Sequence, residues 1–329
     1  MTVQPPPSLT PSPVPQPPPG PGGGPRPAAG GRRDFKRRRD TRDGWVMSAP
    51  TVVIVVAVVV VPVLWNVVLA FQDLSLLEIR DAGIFQDPTL GNFVGVFTSP
   101  GFWSAVWNTV VYSVCATAGS IAVGLLAALA LRRPFRGRGL VRALMLLPYV
   151  APVVAVAFVW EIMLNPQYGI VNVWGQGLLG WERPIDFLGT APWAMLTVIM
   201  FEIWRYFPFA FMFITARLTA VPGELEEAAV MDGAGVWQRF RHVLLPQLLP
   251  VMALLAVLRM IMTFNKFDDV YLLTGGGAGT EVVAVRVYDT LTGSFDVGGA
   301  AAQALVLSAF LAVAMVVYLK FLDRRDVQQ

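Results

Sequence analysis

Residues with the means to do chemistry are few in this chain, and three of them stand where charge is out of place. Glu202 and Arg205 sit three residues apart, and Arg259 lies alone, each inside an otherwise apolar stretch. A charge in hydrocarbon is costly unless it is paired or faces water, so all three are candidates for a solute pathway through a membrane. Three residues on a helix place Glu202 and Arg205 on one face, within reach of an ion pair. Competing readings are a pair that only locks helices together, or an arginine snorkelling to the outer interface; Glu161 is read in the same way. The rest of the catalytic repertoire is thin. His242 is the only histidine and Cys115 the only cysteine, which leaves no HExxH metal site, no intrachain disulfide and no thiolate metal cluster. The segment "TGGGAG" (274–279) lacks the Lys-Ser/Thr that a phosphate-binding loop requires. No nucleophile, base and metal set suggests a hydrolase.

A second concentration of polar residues is "EAAVMDGAGVWQRFRHVLLPQLLP", running from Glu227 to Pro250. Pro222 and Gly223 end the helix before it, and Glu224, Glu226 and Glu227 crowd the first turn of the next, where negative charge suits the positive helix end. A short helix through "EAAVM" should stop near "DGAG", with Gly233 and Gly235 relieving backbone sterics. A further turn, "VWQRF", leads into an apolar span that Pro246 and Pro250 should kink. The product is a small alanine-faced helix lying across a membrane surface. Its exposed side is acidic, which anionic lipid repels, so a protein socket suits it better than lipid.

The elements that must position these residues are set by composition. Of 329 residues, 55% are hydrophobic and 14% charged, against roughly 45–50% and 25% in soluble domains. Six stretches are long and apolar enough to cross about 30 Å of hydrocarbon: roughly 47–71, 103–131, 140–164, 191–218, 242–264 and 300–321. Lys and Arg set the orientation. Of 25, eight precede residue 47, five lie in 132–142, three in 217–241 and three in 320–325, while the loops 72–102, 165–190 and 265–299 hold four. By the positive-inside rule both termini and the 217–241 loop are cytoplasmic. Residues 1–31 carry 12 of the 26 prolines and no apolar periodicity, the composition of a disordered tail. The basic run 32–42 abuts the first span and reads as an orientation signal and anionic-lipid contact rather than a nucleic-acid site.

The order Glu-Ala-Ala, two residues, Asp-Gly-Ala, an aromatic, an aliphatic, Leu-Pro and a further Pro resembles the "EAA" loop of permease subunits of ATP-binding-cassette importers. It occupies Glu227, Ala228, Ala229, Asp232, Gly233, Ala234, Phe240, Val243, Leu245, Pro246 and Pro250. The segments 146–172 and 264–291 resemble the carbohydrate-importing branch, of the maltose, trehalose and glycerol-3-phosphate type. One departure is Ala278 and Gly279, where that branch usually shows a proline after the glycines. The resemblance covers about 47–322 and implies an all-α integral membrane protein of the type I importer permease fold, with six transmembrane helices and a cytoplasmic coupling helix within 220–246. Residues 1–46 and 323–329 would be cytoplasmic tails.

It further implies that Glu227, Ala228, Ala229, Asp232, Gly233 and Ala234 dock on an ATPase, while Glu202, Arg205 and Arg259 remain the substrate-pathway candidates on the strength of their charge within the spans. The expected partners are a second permease subunit in a heterodimer, an ATP-binding-cassette ATPase dimer, an extracytoplasmic solute-binding protein and membrane lipid, with no nucleic acid. No cofactor is expected in this chain, ATP and Mg²⁺ being bound by the ATPase. The place is the bacterial plasma (inner) membrane. The rival reading, an ion-coupled secondary carrier, calls for inverted repeats and broken mid-membrane helices with acidic residues, neither of which the sequence displays. Because residues 1–31 lie outside the region of resemblance, their deletion is expected to leave uptake into reconstituted vesicles at the parental rate. A correctly inserted but inactive truncation would assign the tail a partner.

Overall fold

The structure, a computed structural model, describes residues 47–78 and 87–326; the expected disordered tail and basic run lie outside the described residues. The chain divides into Met1–Pro62 and Val63–Gln329. Among the described residues nearly all regular structure is helical, and the single β-bridge is Ser75 to Asp296. The helices are α1 (Met47–Ala70), α2 (Gly91–Thr98), α3 (Pro100–Ala130), α4 (Arg138–Val150), α5 (Val153–Leu164), α6 (Ile170–Leu178) and α7 (Trp193–Thr219). They continue as α8 (Gly223–Met231), α9 (Val236–Phe264), α10 (Asp268–Thr274), α11 (Val283–Thr292) and α12 (Val297–Asp326).

Five helices, α1, α3, α7, α9 and the Val297–Tyr318 part of α12, are long and apolar enough to cross a membrane. The third expected span is different. Instead of one helix over 140–164, α4 and α5 meet at a bend of 95°. The cause is local: Ala151 precedes Pro152 and adopts an extended backbone (φ −63°, ψ 141°), because the proline ring drives the residue before it out of the helical region. Prolines shape two other spans more gently. The Val61 N–H donates to the Val56 carbonyl and the Leu245 N–H to that of Phe240, giving a π turn directly before Pro62 and before Pro246. A proline ring clashes with the carbonyl four residues back, and the wider turn makes room for it without ending the helix.

Within Val63–Gln329 the tightest packing is between α3 and α7. Ala116, Ser120, Gly124 and Ala128 recur every four residues along α3, and all are buried. Such a stripe of small residues lets helix backbones approach closely where lipid tails remove the hydrophobic drive for association. A Cβ added at Gly124 would lie 2.7 Å from Ala210 Cβ and 2.8 Å from Phe211 N. Other large apolar side chains, among them Trp107, Leu144 and Phe158, are exposed, as suits a surface solvated by lipid. Gly124→Val should cost about 1–3 kcal/mol by overpacking, read as a lower melting temperature of the detergent-solubilised subunit. Gly95→Ala, whose added methyl meets nothing within 4 Å, should melt with the parent.

Candidate functional site

The short helix α8 is held by few contacts and presents most of itself. Its N-cap is Pro222, Glu224 and Glu226 lie in its first turn, and none of its residues is buried. Glu226 and Ala229 alone are half-buried, and Glu226 pairs with Arg132 at the end of α3. Glu227, Ala228, Val230 and Met231 are exposed, Met231 at 86%. The helix closes through Asp232 N–H to Ala228 O (3.0 Å) and Ala234 N–H to Ala229 O (2.9 Å). Between them Gly233 takes φ 78°, a left-handed conformation that a β-branched side chain resists. Gly235 N–H then donates to Gln238 Oε1 at 2.8 Å, capping the start of α9. The sequence-predicted coupling residues therefore form one contiguous element, with Glu227, Ala228, Asp232 and Gly233 exposed and Ala229 and Ala234 half-buried.

The charges inside the spans are arranged differently from the sequence expectation. Glu202 does not pair with Arg205 on its own helix. It accepts from Arg259 Nη2 of α9 at 2.6 Å, the two side chains being 0% and 1% exposed. Thr263 Oγ1 adds a weaker bond to the same carboxylate oxygen at 3.4 Å. The Arg259 guanidinium lies 4.1 Å from the centroid of the Tyr206 ring, within cation–π range. Lys266 Nζ, 4.8 Å from that centroid, donates to Tyr206 Oη at 2.6 Å and approaches Asp268 (3.3 Å) and Asp269 (3.7 Å) on α10. Arg205 is 8% exposed, with its Nε and Nη1 buried and without hydrogen-bond partners and its guanidinium carbon 5.6 Å from the Tyr206 ring. Arg259 prevails as partner because it reaches Glu202 from a facing helix in a site dry enough for a short charge-assisted bond.

Comparison with known proteins bears on the family and the fold of this chain. Residues 120–326 match the model of the binding-protein-dependent transport system inner membrane component. The chain belongs to this family. It is 38% identical over 277 residues to the inner membrane ABC transporter permease protein YcjO of Escherichia coli, covering 83% of this chain and 92% of that protein. With the trehalose/maltose transport system permease protein MalF of Thermococcus litoralis it shares 31% over 290 residues, 86% of this chain and 94% of the other. In fold it resembles a chain of a bacterial ABC transporter that imports the polysaccharide alginate, with TM-score 0.74, 22% identity, and coverage of 89% of this chain and 99% of that one. This permease is thus a multi-pass inner-membrane subunit of an ABC importer; it is not itself an enzyme, and ATP hydrolysis belongs to a partner. The ion-coupled carrier reading falls with the family assignment.

Sequence reasoning overlooked Tyr206, Thr263, Lys266 and Asp269 as members of the permease's buried cluster. The available signal was the Lys266–Asp269 spacing of three, directly after an apolar span. Burial pushes the Asp269 carboxyl up to about 9, helped by the neighbouring Glu202 and opposed by Lys266. The ammonium at 3.7 Å is outweighed, so Asp269 is protonated at neutral pH. In the unfolded chain it titrates near 3.8. The native state therefore binds one more proton between these values, and stability falls as pH rises through that window. Asp269→Asn removes this dependence. Its melting temperature is expected to match the parent below about pH 4 and to exceed it increasingly toward pH 9; a parental pH profile in the variant would show that the carboxyl is ionised.

Proposed function

We propose that this permease forms, with a second permease subunit, the path by which a sugar or sugar derivative enters the cell, driven by an ATPase docked on α8. The observation that carries the reading is the coupling helix. It is anchored by Glu226 and Ala229 and offers Glu227, Ala228, Val230 and Met231 to solvent. An exposed face that mixes acids with apolar side chains is a poor surface to leave in water and a poor one to lay on anionic lipid, but it suits a protein cleft. Glu227, Ala228, Ala229, Asp232, Gly233 and Ala234 are the contact set. Both termini lie on the ATPase side, in keeping with the distribution of Lys and Arg. ATP and Mg²⁺ belong to that partner.

The carbohydrate reading draws on relatives named for trehalose and maltose transport, including the trehalose transport system permease protein SugA of Mycobacterium tuberculosis, 28% identical over 289 residues. Within this chain, Glu202, Arg205 and Arg259 belong to the pathway through Tyr206 and Lys266: the buried pair fixes the Tyr206 ring, and Lys266, 13% exposed at its side chain, is the more open edge of the cluster. The loop 265–299, folded into α10 and α11, faces a solute-binding protein; with Asp269 buried, its four remaining acids against two bases favour a basic patch on that partner. The structurally related alginate transporter has been seen with a saccharide-loaded periplasmic protein.

Glu227→Lys in the reconstituted complex tests the docking assignment. Uptake and ATPase stimulation by the binding protein should fall about tenfold or more, the equivalent of at least roughly 1.4 kcal/mol of coupling, while insertion and melting temperature stay parental. A fully active Glu227→Lys complex would place the ATPase contact elsewhere.

A further inference from the structure

Between the end of α3, the start of α9 and the coupling helix lies a cavity of about 770 Å³. Its wall is of mixed character. Leu125 and Leu129 from α3 and Phe240 and Trp237 from α9 supply apolar surface, and Arg132, Arg133 and Arg239 supply positive charge. Glu226 is the one acid among the lining residues, and it is occupied by Arg132. Two guanidinium groups are left over: Arg133 is exposed, and the Nε of Arg239 is buried without a hydrogen-bond partner. An unpaired buried donor on a cation is costly and calls for an anion.

Along the chain, the change from apolar to basic falls at the edge of the hydrocarbon. Leu125 and Leu129 belong to the last turns of a membrane-spanning helix that ends at Ala130, and Arg132 and Arg133 follow within one turn. A free inorganic anion would satisfy the arginines and leave the leucine wall wet. A hydrocarbon chain alone would do the reverse. An amphiphile with an anionic head satisfies both, and basic pockets between helices at the cytoplasmic face are where such headgroups settle.

We propose that this cavity is a binding site for one anionic phospholipid, its phosphate held by Arg133 and Arg239 and one acyl chain lying along Leu125, Leu129 and Phe240. Arg132 links the site to Glu226, so a bound lipid braces the ion pair that ties α8 to the end of α3. Lipid occupancy then sets how firmly the coupling helix is held. That consequence rests on α8 being the ATPase contact; the lipid site itself does not.

The test uses the assembled transporter. Native mass spectrometry of the complex released from membranes should show a retained phosphatidylglycerol, and the double variant Arg133→Gln/Arg239→Gln should lower its retention about tenfold or more, since each basic residue contributes on the order of 1 kcal/mol near an anionic surface. Leu126→Trp, which fills the apolar part of the cavity from an exposed position without altering charge, should displace the lipid as well. In nanodiscs, replacing phosphatidylglycerol by phosphatidylcholine should depress binding-protein-stimulated ATPase activity in the parent and change the double variant little. Parental lipid retention in both variants would overturn the proposal. So would displacement of the lipid by millimolar inorganic phosphate, or a photocrosslinker at Leu126 that captures a partner subunit and no lipid. Should Glu227→Lys leave coupling intact while phosphatidylglycerol retention still depends on Arg133 and Arg239, the docking assignment fails and the lipid site stands.

Discussion

The Glu202–Arg259 pair is the constraint around which the end of the helix bundle remote from α8 is built. Both side chains are essentially without solvent exposure, so each charge depends on the other for compensation. Removing one partner from such a pair typically costs about 3–5 kcal/mol, yet the intact pair adds little net stability because both ions have been desolvated. Its worth is positional. Glu202 belongs to α7 and Arg259 to α9, so the two helices have one register in which neither charge is stranded. Tyr206 and Lys266 extend the tie to α10, with Lys266 bonded to one helix and facing acids on the other.

At the other membrane face the same two helices are tied again. Arg217 of α7 donates through Nε to the Gln247 carbonyl of α9 at 3.0 Å and through Nη2 to its Oε1 at 2.8 Å. The coupling helix α8 is the connection between these helices, so it is attached to a pair cross-tied at both ends. A displacement imposed on α8 is passed to α7 and α9 together rather than spent in sliding one along the other. The packing of α3 against α7 works in the same direction: at Gly124 the backbones are close enough that even a methyl would meet Ala210 and Phe211, and interfaces of this kind shift between discrete arrangements rather than deforming smoothly.

Much of this was legible in the sequence, and the division between what was and what was not has a physical basis. Spans and coupling helix are local: an apolar run, a proline–glycine stop, a first turn rich in acids and a glycine at a left-handed turn each act within a few residues. The 95° break between α4 and α5 was equally local, and Pro148 and Pro152 announced it, but an apolar run on both sides masked the signal as one continuous span. The partner of Glu202 was of another kind. Three-residue spacing favours Arg205 only when both side chains must find partners along their own helix; in a packed membrane domain a facing helix competes, and Arg259 is 57 residues away. The protonated state of Asp269 was hidden for the same reason, since it follows from burial against Glu202 on another element.

Two neighbouring acids show how finely a local pattern can be divided by the fold. Successive residues on a helix are rotated by about 100°, so Glu226 and Glu227 point to different surroundings. Glu226 turns inward to Arg132 and is half-buried; Glu227 turns out and is exposed. Their types are identical and their roles are separated by one step of helical rotation. Charge at position 226 is answered within the subunit, where Arg132 fixes the helix to the end of α3. At 227 it has no such answer from Arg132 and stays exposed, as the proposed contact with a partner requires. A motif that specifies glutamate at 227 and alanine at 228 and 229 therefore constrains the outward face, whereas the anchoring of the helix depends on whether α3 ends in a base, a feature lying nearly a hundred residues earlier in the chain.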